Sequence, residues 1–342
     1  MKKYPILLST YPWLNFFYKK IINQFLNKKN YKAYIFCSLN ELGINNLIYA
    51  LTKWIFCINK KKIYSCSKCQ NCILVEKNIH PDLHIIKNNK EKNSISIEVI
   101  RNLTEIIYQS SYKDVGKIIW FPYANQLNIS SSNALLKILE EPSDNIWFFI
   151  QCNNKNELLP TIYSRCQFWH IYPPNEKIGI LWLKKKVQNY KIFQKESIKT
   201  ALRLCNNSPI DAYQLLNNII WKSRNILYTI LVSSLEEDIM KLLSILNNKN
   251  ILLYLNWIYL ILLDVVKIHL NIDKKFLYNL DQIYFIHKIS NLIVVDKILL
   301  MIKKILFYSN ILIKINNINY ELVLINLLLS LEKIYTSNNK YK

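Results

Sequence analysis

"AYIFCSLNELGINNLIYALTKWIF", Ala33–Phe56, joins a short apolar run to a helical pattern through a loop that holds one glycine. AYIFC (Ala33–Cys37) has the length and the aromatic and apolar content of a buried strand. Leu47, Ile48, Leu51, Trp54 and Ile55 recur at the 3.6-residue spacing that places them on one helix face. Between such a strand and helix, nucleotide-binding proteins carry G-x-x-x-x-G-K-[ST], whose backbone N–H groups and lysine hold phosphates. In "SLNELGIN" (Ser38–Asn45), Gly43 stands at the second glycine. Ser38 replaces the first glycine, Ile44 replaces the lysine, and Asn45 replaces the Mg²⁺-binding hydroxyl. Without the lysine, the β/γ-phosphate charge has no partner. After a later strand, "KIIWFPYANQL" (Lys117–Leu127) offers Pro122 and Tyr123 where a working ATPase carries paired acidic residues. Both halves of a nucleotide site are lost together, so the stretch reads as a degenerate phosphate-binding fold and no ATP is expected.

Further strands are expected at "DLHII" (Asp82–Ile86), "KIIWF" (Lys117–Phe121) and "WFFIQC" (Trp147–Cys152). Helices are expected at "SIEVIRNLTEIIYQSS" (Ser96–Ser111) and "SSSNALLKILEEPS" (Ser130–Ser143), the second capped by Ser130 to Ser132 and stopped by Pro142. Alternation of buried apolar strands with helices means a parallel sheet covered on both faces. "FWHIYPPNEK" (Phe168–Lys177) breaks the pattern, and everything beyond it reads as helix. The expected division is 1–173 for the α/β domain, 174–215 for a small helical domain and 216–342 for a larger all-α domain. The tail "TSNNKYK" is expected to fray.

Four of the eight cysteines fall within sixteen residues, as Cys57-x8-Cys66-x2-Cys69-x2-Cys72. Four thiolates suit tetrahedral zinc, and two-residue spacers let neighbouring sulfurs converge. Chance clustering of core cysteines does not fit the polar "YSCSKCQNC". An iron–sulfur cluster can use C-x2-C-x2-C, but the downstream cysteine with its proline is missing. Structural Zn²⁺ in a module at 57–72 is the expectation, because four sulfurs leave no open position for catalysis. His80 is then not needed as a ligand and reads as a hydrogen-bonded turn residue.

The formal net charge is +22, with 51% hydrophobic and 20% charged residues. Such a balance invites a polyanionic partner. The lysines are spread among Asn, Ile and Tyr throughout, as drift in an AT-rich genome produces, so the charge alone assigns nothing. Only three glycines occur, Gly43, Gly116 and Gly179, which argues against a glycine-rich phosphate cradle. "ILLYLNWIYLILLDVVKIHL" (Ile251–Leu270) is interrupted by Asn256, Asp264 and Lys267, so a buried helix is expected rather than a membrane span. No secretory signal is read at the N-terminus, which gives a cytoplasmic expectation in which clustered cysteines bind metal.

"YPWL" (Tyr11–Leu14), the four-cysteine spacing, "HPDLH" (His80–His84), "SNALLKILEEP" (Ser132–Pro142) and "YSRC" (Tyr163–Cys166) occur in that order. Together they resemble the delta-prime subunits of the bacterial DNA polymerase III clamp loader. The motifs cover roughly the first half of the chain. The resemblance implies an α/β AAA+ module with an inserted zinc knuckle, a small helical lid and an all-α C-terminal collar. It implies a hetero-oligomeric ring with gamma/tau and delta subunits, which loads the sliding clamp onto primed DNA without contact with a membrane. It implies no catalytic activity of the chain's own, within a DNA-directed DNA polymerase (nucleotidyltransferase) holoenzyme. Carried onto this chain, Arg165, flanked by Ser164 and Cys166, is the arginine given in trans to a neighbouring ATP site. The physical case is that a guanidinium can neutralise charge developing on a γ-phosphate. A sensor arginine of the lid would fall near "NNSPIDAYQLL", where Asp211 stands instead. Glu140 and Glu141 read as shaping a helix end.

Two other functions compete. A stand-alone zinc-ribbon nucleic-acid binder would use "INKKKIYSCSKCQNC" and leave the Ser-Arg-Cys triplet unexplained. An active gamma/tau-like ATPase is opposed by the missing lysine.

Overall fold

The computed structural model describes residues 10–88, 94–112, 115–141, 145–186, 195–217, 219–247, 250–315 and 319–336. The chain forms two compact units, Met1–Pro174 and Asn175–Lys342.

The first unit runs α1 (Asn15–Leu26), β1 (Ala33–Cys37), α2 (Ile44–Phe56), α3 (Gln70–Glu76), β2 (Leu83–Ile85), α4 (Ile97–Tyr108), β3 (Lys117–Phe121), α5 (Ile129–Glu140), β4 (Ile146–Cys152), α6 (Pro160–Arg165) and β5 (Gln167–His170). The strands make one sheet in the order β2-β3-β4-β1-β5, with every pairing parallel. Every residue of β1 and β3 is buried, because helices cover both faces. On one face Ile35, Phe121, Phe148 and Ile150 pack with Ile100, Leu103, Leu135 and Ile162 from α4, α5 and α6. On the other, Phe25 of α1 sits 6.1 Å from the Tyr34 ring, 6.0 Å from Trp54 of α2 and 5.6 Å from Trp147. This is the parallel sheet covered on both faces that the alternation of strands and helices predicts.

Two local expectations are corrected. Gln167–His170, not among the expected strands, forms β5 just before the break at Pro173-Pro174 and pairs with β1 at Tyr34↔Gln167. It is a short edge strand, only partly buried, so it lacks the continuous apolar run that marks its neighbours. The helix at Ile129 is capped by Asn128, whose Oδ1 accepts the Ser131 N–H at 2.8 Å, while Ser131 and Ser132 are buried inside the helix. The buried helix expected over the apolar Ile251–Leu270 run is present, as described below. Pro142 and tail residues 337–342 lie outside the described residues.

In the second unit, α7 (Glu176–Lys186), α8 (Lys195–Leu204) and α9 (Pro209–Asn217) pack on one another. Gly179 permits the close approach, since a Cβ there would lie 3.0 Å from Leu202 Cδ2. The helices α10 (Ile219–Glu236), α11 (Ile251–His269), α12 (Ile283–Leu292), α13 (Val295–Lys314) and α14 (Tyr320–Thr336) share a core that includes Tyr228, Trp257, Ile261, Ile289, Ile305 and Leu328. By length and composition α11 could cross a membrane, but its packing is that of a core helix, with Trp257, Ile258, Ile261 and Val265 buried. Asp264, fully buried, accepts the N–H groups of Tyr278 and Asn279 at 2.8 Å each and pairs with Lys267 at 2.9 Å. A buried carboxylate so satisfied holds the segment before α12 against α11. Arg203 of α8 does similar work: it pairs with Glu176 of α7 at 2.9 Å and donates to the Leu277 carbonyl.

Candidate functional site

The loop between β1 and α2 is held by its own polar contacts. The Ser38 N–H donates to the Cys152 carbonyl at 3.2 Å, and Ser38 Oγ donates to the Asn40 carbonyl at 2.9 Å. Gly43 caps α2 at φ 81°, a left-handed conformation that disfavours a side chain, and its carbonyl accepts the Asn46 and Leu47 N–H groups. Leu42 and Ile44 point inward and are buried, and the Trp13 indole N–H donates to the Leu42 carbonyl at 2.9 Å. Glu41 is exposed in the loop. An apolar side chain therefore occupies the lysine position, and a carboxylate joins the loop. Asn45, exposed at the start of α2, supplies no hydroxyl for a metal.

The four cysteines converge. Their Sγ atoms all lie within 4.8 Å of one another, and those of Cys66 and Cys72 are 3.9 Å apart. Sulfurs around one zinc at about 2.3 Å each would stand about 3.8 Å apart, so the group fits a tetrahedral ion. Cys57 ends α2 and Cys72 lies in α3, both buried; Cys66 and Cys69 lie on the turn between, where Ser67 has φ 56°. Backbone N–H groups point at sulfur: Cys66 N to Cys57 Sγ at 3.2 Å, and Cys69 N to Cys66 Sγ at 3.3 Å. Burial pushes the Cys57 and Cys72 thiols up. Burial also acts against ionisation of Cys66, but the N–H groups of Lys68 and Cys69 and the neighbouring thiols bring it down to about 6. Cys69 is likewise lowered despite burial, by the N–H groups of Cys72 and Ile58. Thiolates are what a metal binds. The knuckle is fastened to the helices beneath it. Asn71 donates to the Phe56 carbonyl at 2.9 Å, Trp54 Nε1 to the Lys62 carbonyl at 2.9 Å, and Tyr18 to the Ile63 carbonyl at 2.8 Å. Lys53 of α2 also pairs with Glu76 of α3. His80 stands apart from the sulfurs: its ring stacks on Phe56 at 4.1 Å, and Nδ1 accepts the Asp82 N–H at 3.2 Å. Burial pulls its pKa down to about 4, so it is a neutral turn residue.

Arg165 is the last residue of α6, just before β5. Ser164 Oγ donates to the Thr161 carbonyl at 3.0 Å. Cys166 packs against the sheet core, and burial raises its thiol to about 12. Of the triplet, the arginine is the member able to act on something outside. Its Nη1 donates to the Thr161 carbonyl at 3.0 Å, and its Nη2 pairs with Glu140 Oε1 at 2.5 Å. The two side chains are 37% and 49% exposed. This partnership was not legible in the sequence, where Glu140 reads only as a helix end; the folding of α5 and α6 onto one sheet face brings the two together. Asp211 lies in the first turn of α9, with its N–H 3.4 Å from Ser208 Oγ. A carboxylate there suits the positive helix end and not a phosphate.

Comparison with known proteins agrees with this layout. The family model described as "DNA polymerase III, delta subunit" matches residues 14–175, and "DNA polymerase III, delta subunit, C terminal" matches residues 220–333. The DNA polymerase III subunit delta' of Buchnera aphidicola subsp. Schizaphis graminum is 36% identical over 332 residues, covering 96% of this chain and 98% of that one. The corresponding subunit of Yersinia pestis is 31% identical over 95% of this chain and 96% of that one. That of Escherichia coli K12 is 28% identical over 94% and 95%. Among solved structures, a DNA polymerase III gamma subunit-related protein of Thermotoga maritima aligns with 93% of this chain and 99% of its own at 15% identity, with a TM-score of 0.45. With family models on both units and a relative above 30% identity along almost the whole length, the chain belongs to the delta-prime subunit family of DNA polymerase III.

Proposed function

We propose that this delta-prime subunit works in the clamp-loader ring without binding ATP itself and gives Arg165 to the ATP site of a neighbouring gamma/tau subunit. The observation that carries this reading is the exposed guanidinium at the end of α6, before β5, at the end of the sheet opposite the loop that has Ile44 in place of a lysine. A guanidinium supplied in trans stabilises charge on a transferring phosphoryl group. The Cys57, Cys66, Cys69 and Cys72 set holds one structural zinc, which ties α2 to α3 and leaves no position for chemistry. Residues 174–215 act as the lid and 216–342 as the collar that joins delta and gamma/tau. The Arg203 bonds to Glu176 and the Leu277 carbonyl support a lid held firmly on the collar, as a rigid ring member needs. Clamp and primed DNA are met through the assembled ring, in the cytoplasm, as part of the polymerase holoenzyme.

The test is co-purification with the gamma/tau and delta subunits of the same organism, with ATP titrated calorimetrically into the isolated chain. The expected result is a stable complex and negligible ATP binding. Tight ATP binding would turn the reading toward a gamma/tau-like ATPase. Failure to assemble, together with direct binding of nucleic acid, would turn it toward a free-standing zinc ribbon.

A further inference from the structure

We propose that Glu140 is a positioning residue that parks Arg165 in the resting subunit and competes with the neighbour's γ-phosphate for the guanidinium. The inference rests on Arg165 being the arginine given in trans.

The geometry is specific. Glu140 closes α5 and Arg165 closes α6, so both side chains hang from helix ends packed on one face of the sheet. Arg165 Nη2 meets Glu140 Oε1 at 2.5 Å, and Nη1 is turned back onto its own helix at the Thr161 carbonyl, 3.0 Å away. Each of these contacts uses donors that a phosphate would need, because the guanidinium fork offers its N–H groups in one plane. The Glu140 carboxylate and a γ-phosphate are both anions, so a guanidinium engaged with the phosphate leaves the carboxylate close to like charge. The two partners therefore compete for the guanidinium.

The exposure of the pair sets how firmly the arginine is held. With 37% and 49% of the two side chains exposed, the attraction is screened by water, and an exposed pair shifts an equilibrium by no more than about fivefold. That is enough to keep the side chain ordered in the free subunit and little enough for a phosphate carrying a Mg²⁺-bound nucleotide to displace it. Glu140 thus sets the fraction of Arg165 that is free to engage, and touches no reacting atom itself.

The test uses the complete reconstituted clamp-loader complex and DNA-stimulated ATP hydrolysis. Glu140→Gln should raise kcat by about two- to fivefold with KM for ATP unchanged, and Glu140→Asp, with a shorter reach, should fall between. The gain should shrink as salt is raised, since the pair is screened. In the double variant with Arg165→Ala the gain should vanish, which a purely structural role for Glu140 does not predict. An unchanged or slower Glu140→Gln complex, with Arg165→Ala still slow, overturns the parking role and leaves the trans arginine standing. A gain that persists without Arg165 overturns it equally. An Arg165→Ala complex that hydrolyses at the normal rate overturns both.

Discussion

In the proposed role, Ile44 and Arg165 stand for the two sides of a shared ATP site, one lost from this chain and one given to a neighbour. Ile44 is buried at the start of α2, where an ammonium would have to reach phosphate, while Arg165 stands exposed and paired with Glu140 at a helix end. The first of these was legible from identity alone, since no packing makes an isoleucine a cation. The second was legible through the resemblance carried by "YSRC", which names Arg165 but not its surroundings; the burial of Cys166 and the helix-end position of Arg165 come from the structure. The same distinction separates the cysteines. With metal removed by a chelator, Cys66 is expected to react fastest with iodoacetamide at pH 7, because its thiol titrates at about 6. Its rate should fall as pH drops through that value, where the thiolate is lost. Cys166 and Cys205, raised to about 12 by burial, should stay unlabelled in the folded chain. Peptide mapping by mass spectrometry checks this, and uniform labelling would contradict the hydrogen-bonded thiolate described for Cys66. Zinc should protect Cys66 completely.

At the scale of elements, β1 and β3 appeared in the structure with the bounds their sequences implied, because strands buried on both faces read as near-continuous apolar runs. β5 was missed for the converse reason: an edge strand of partly buried, mixed residues reads like the loop around it. The Asn128 cap was misplaced onto the serines because several residues of capping type stand in a row, and only the backbone decides which one precedes the helix. The cysteine knuckle is the element with least support of its own. Its turn between Cys57 and Cys72 has a single two-residue bridge, Lys61↔Tyr64, and otherwise leans on α1 and α2 through Tyr18 and Trp54. Removing zinc, or replacing Cys72 with Ser, should weaken hydrogen-exchange protection across 57–76 without abolishing it and lower the melting temperature by roughly 5 °C, while β1, β3 and β4 stay protected. Undiminished protection in 57–76 without metal would show that side-chain packing alone maintains the knuckle.

At the scale of the whole molecule, the α/β half announced itself through its strands and its broken phosphate motif, whereas the helical half was legible in class only. Helices that share a core through Trp257, Ile261 and Ile305 can be arranged in many ways from the same periodicity. Asp264 shows the limit well. In the sequence it interrupts an apolar run, and in the structure it is a buried acceptor that organises the segment before α12. The net charge of +22 carried little weight because its lysines are dispersed, and membership of the delta-prime family rests instead on motif order and on matches to both units. The proposed role turns on whether a subunit with Ile44 at the lysine position serves an ATP site in its neighbour through Arg165. The most direct measurement is DNA-stimulated ATP hydrolysis by the reconstituted complex carrying Arg165→Ala. Assembly should be unchanged and hydrolysis at the site that Arg165 serves should fall by about 10³-fold, with Arg165→Lys failing to restore it. A complex that assembles and hydrolyses ATP at the wild-type rate without Arg165 would contradict the proposed role.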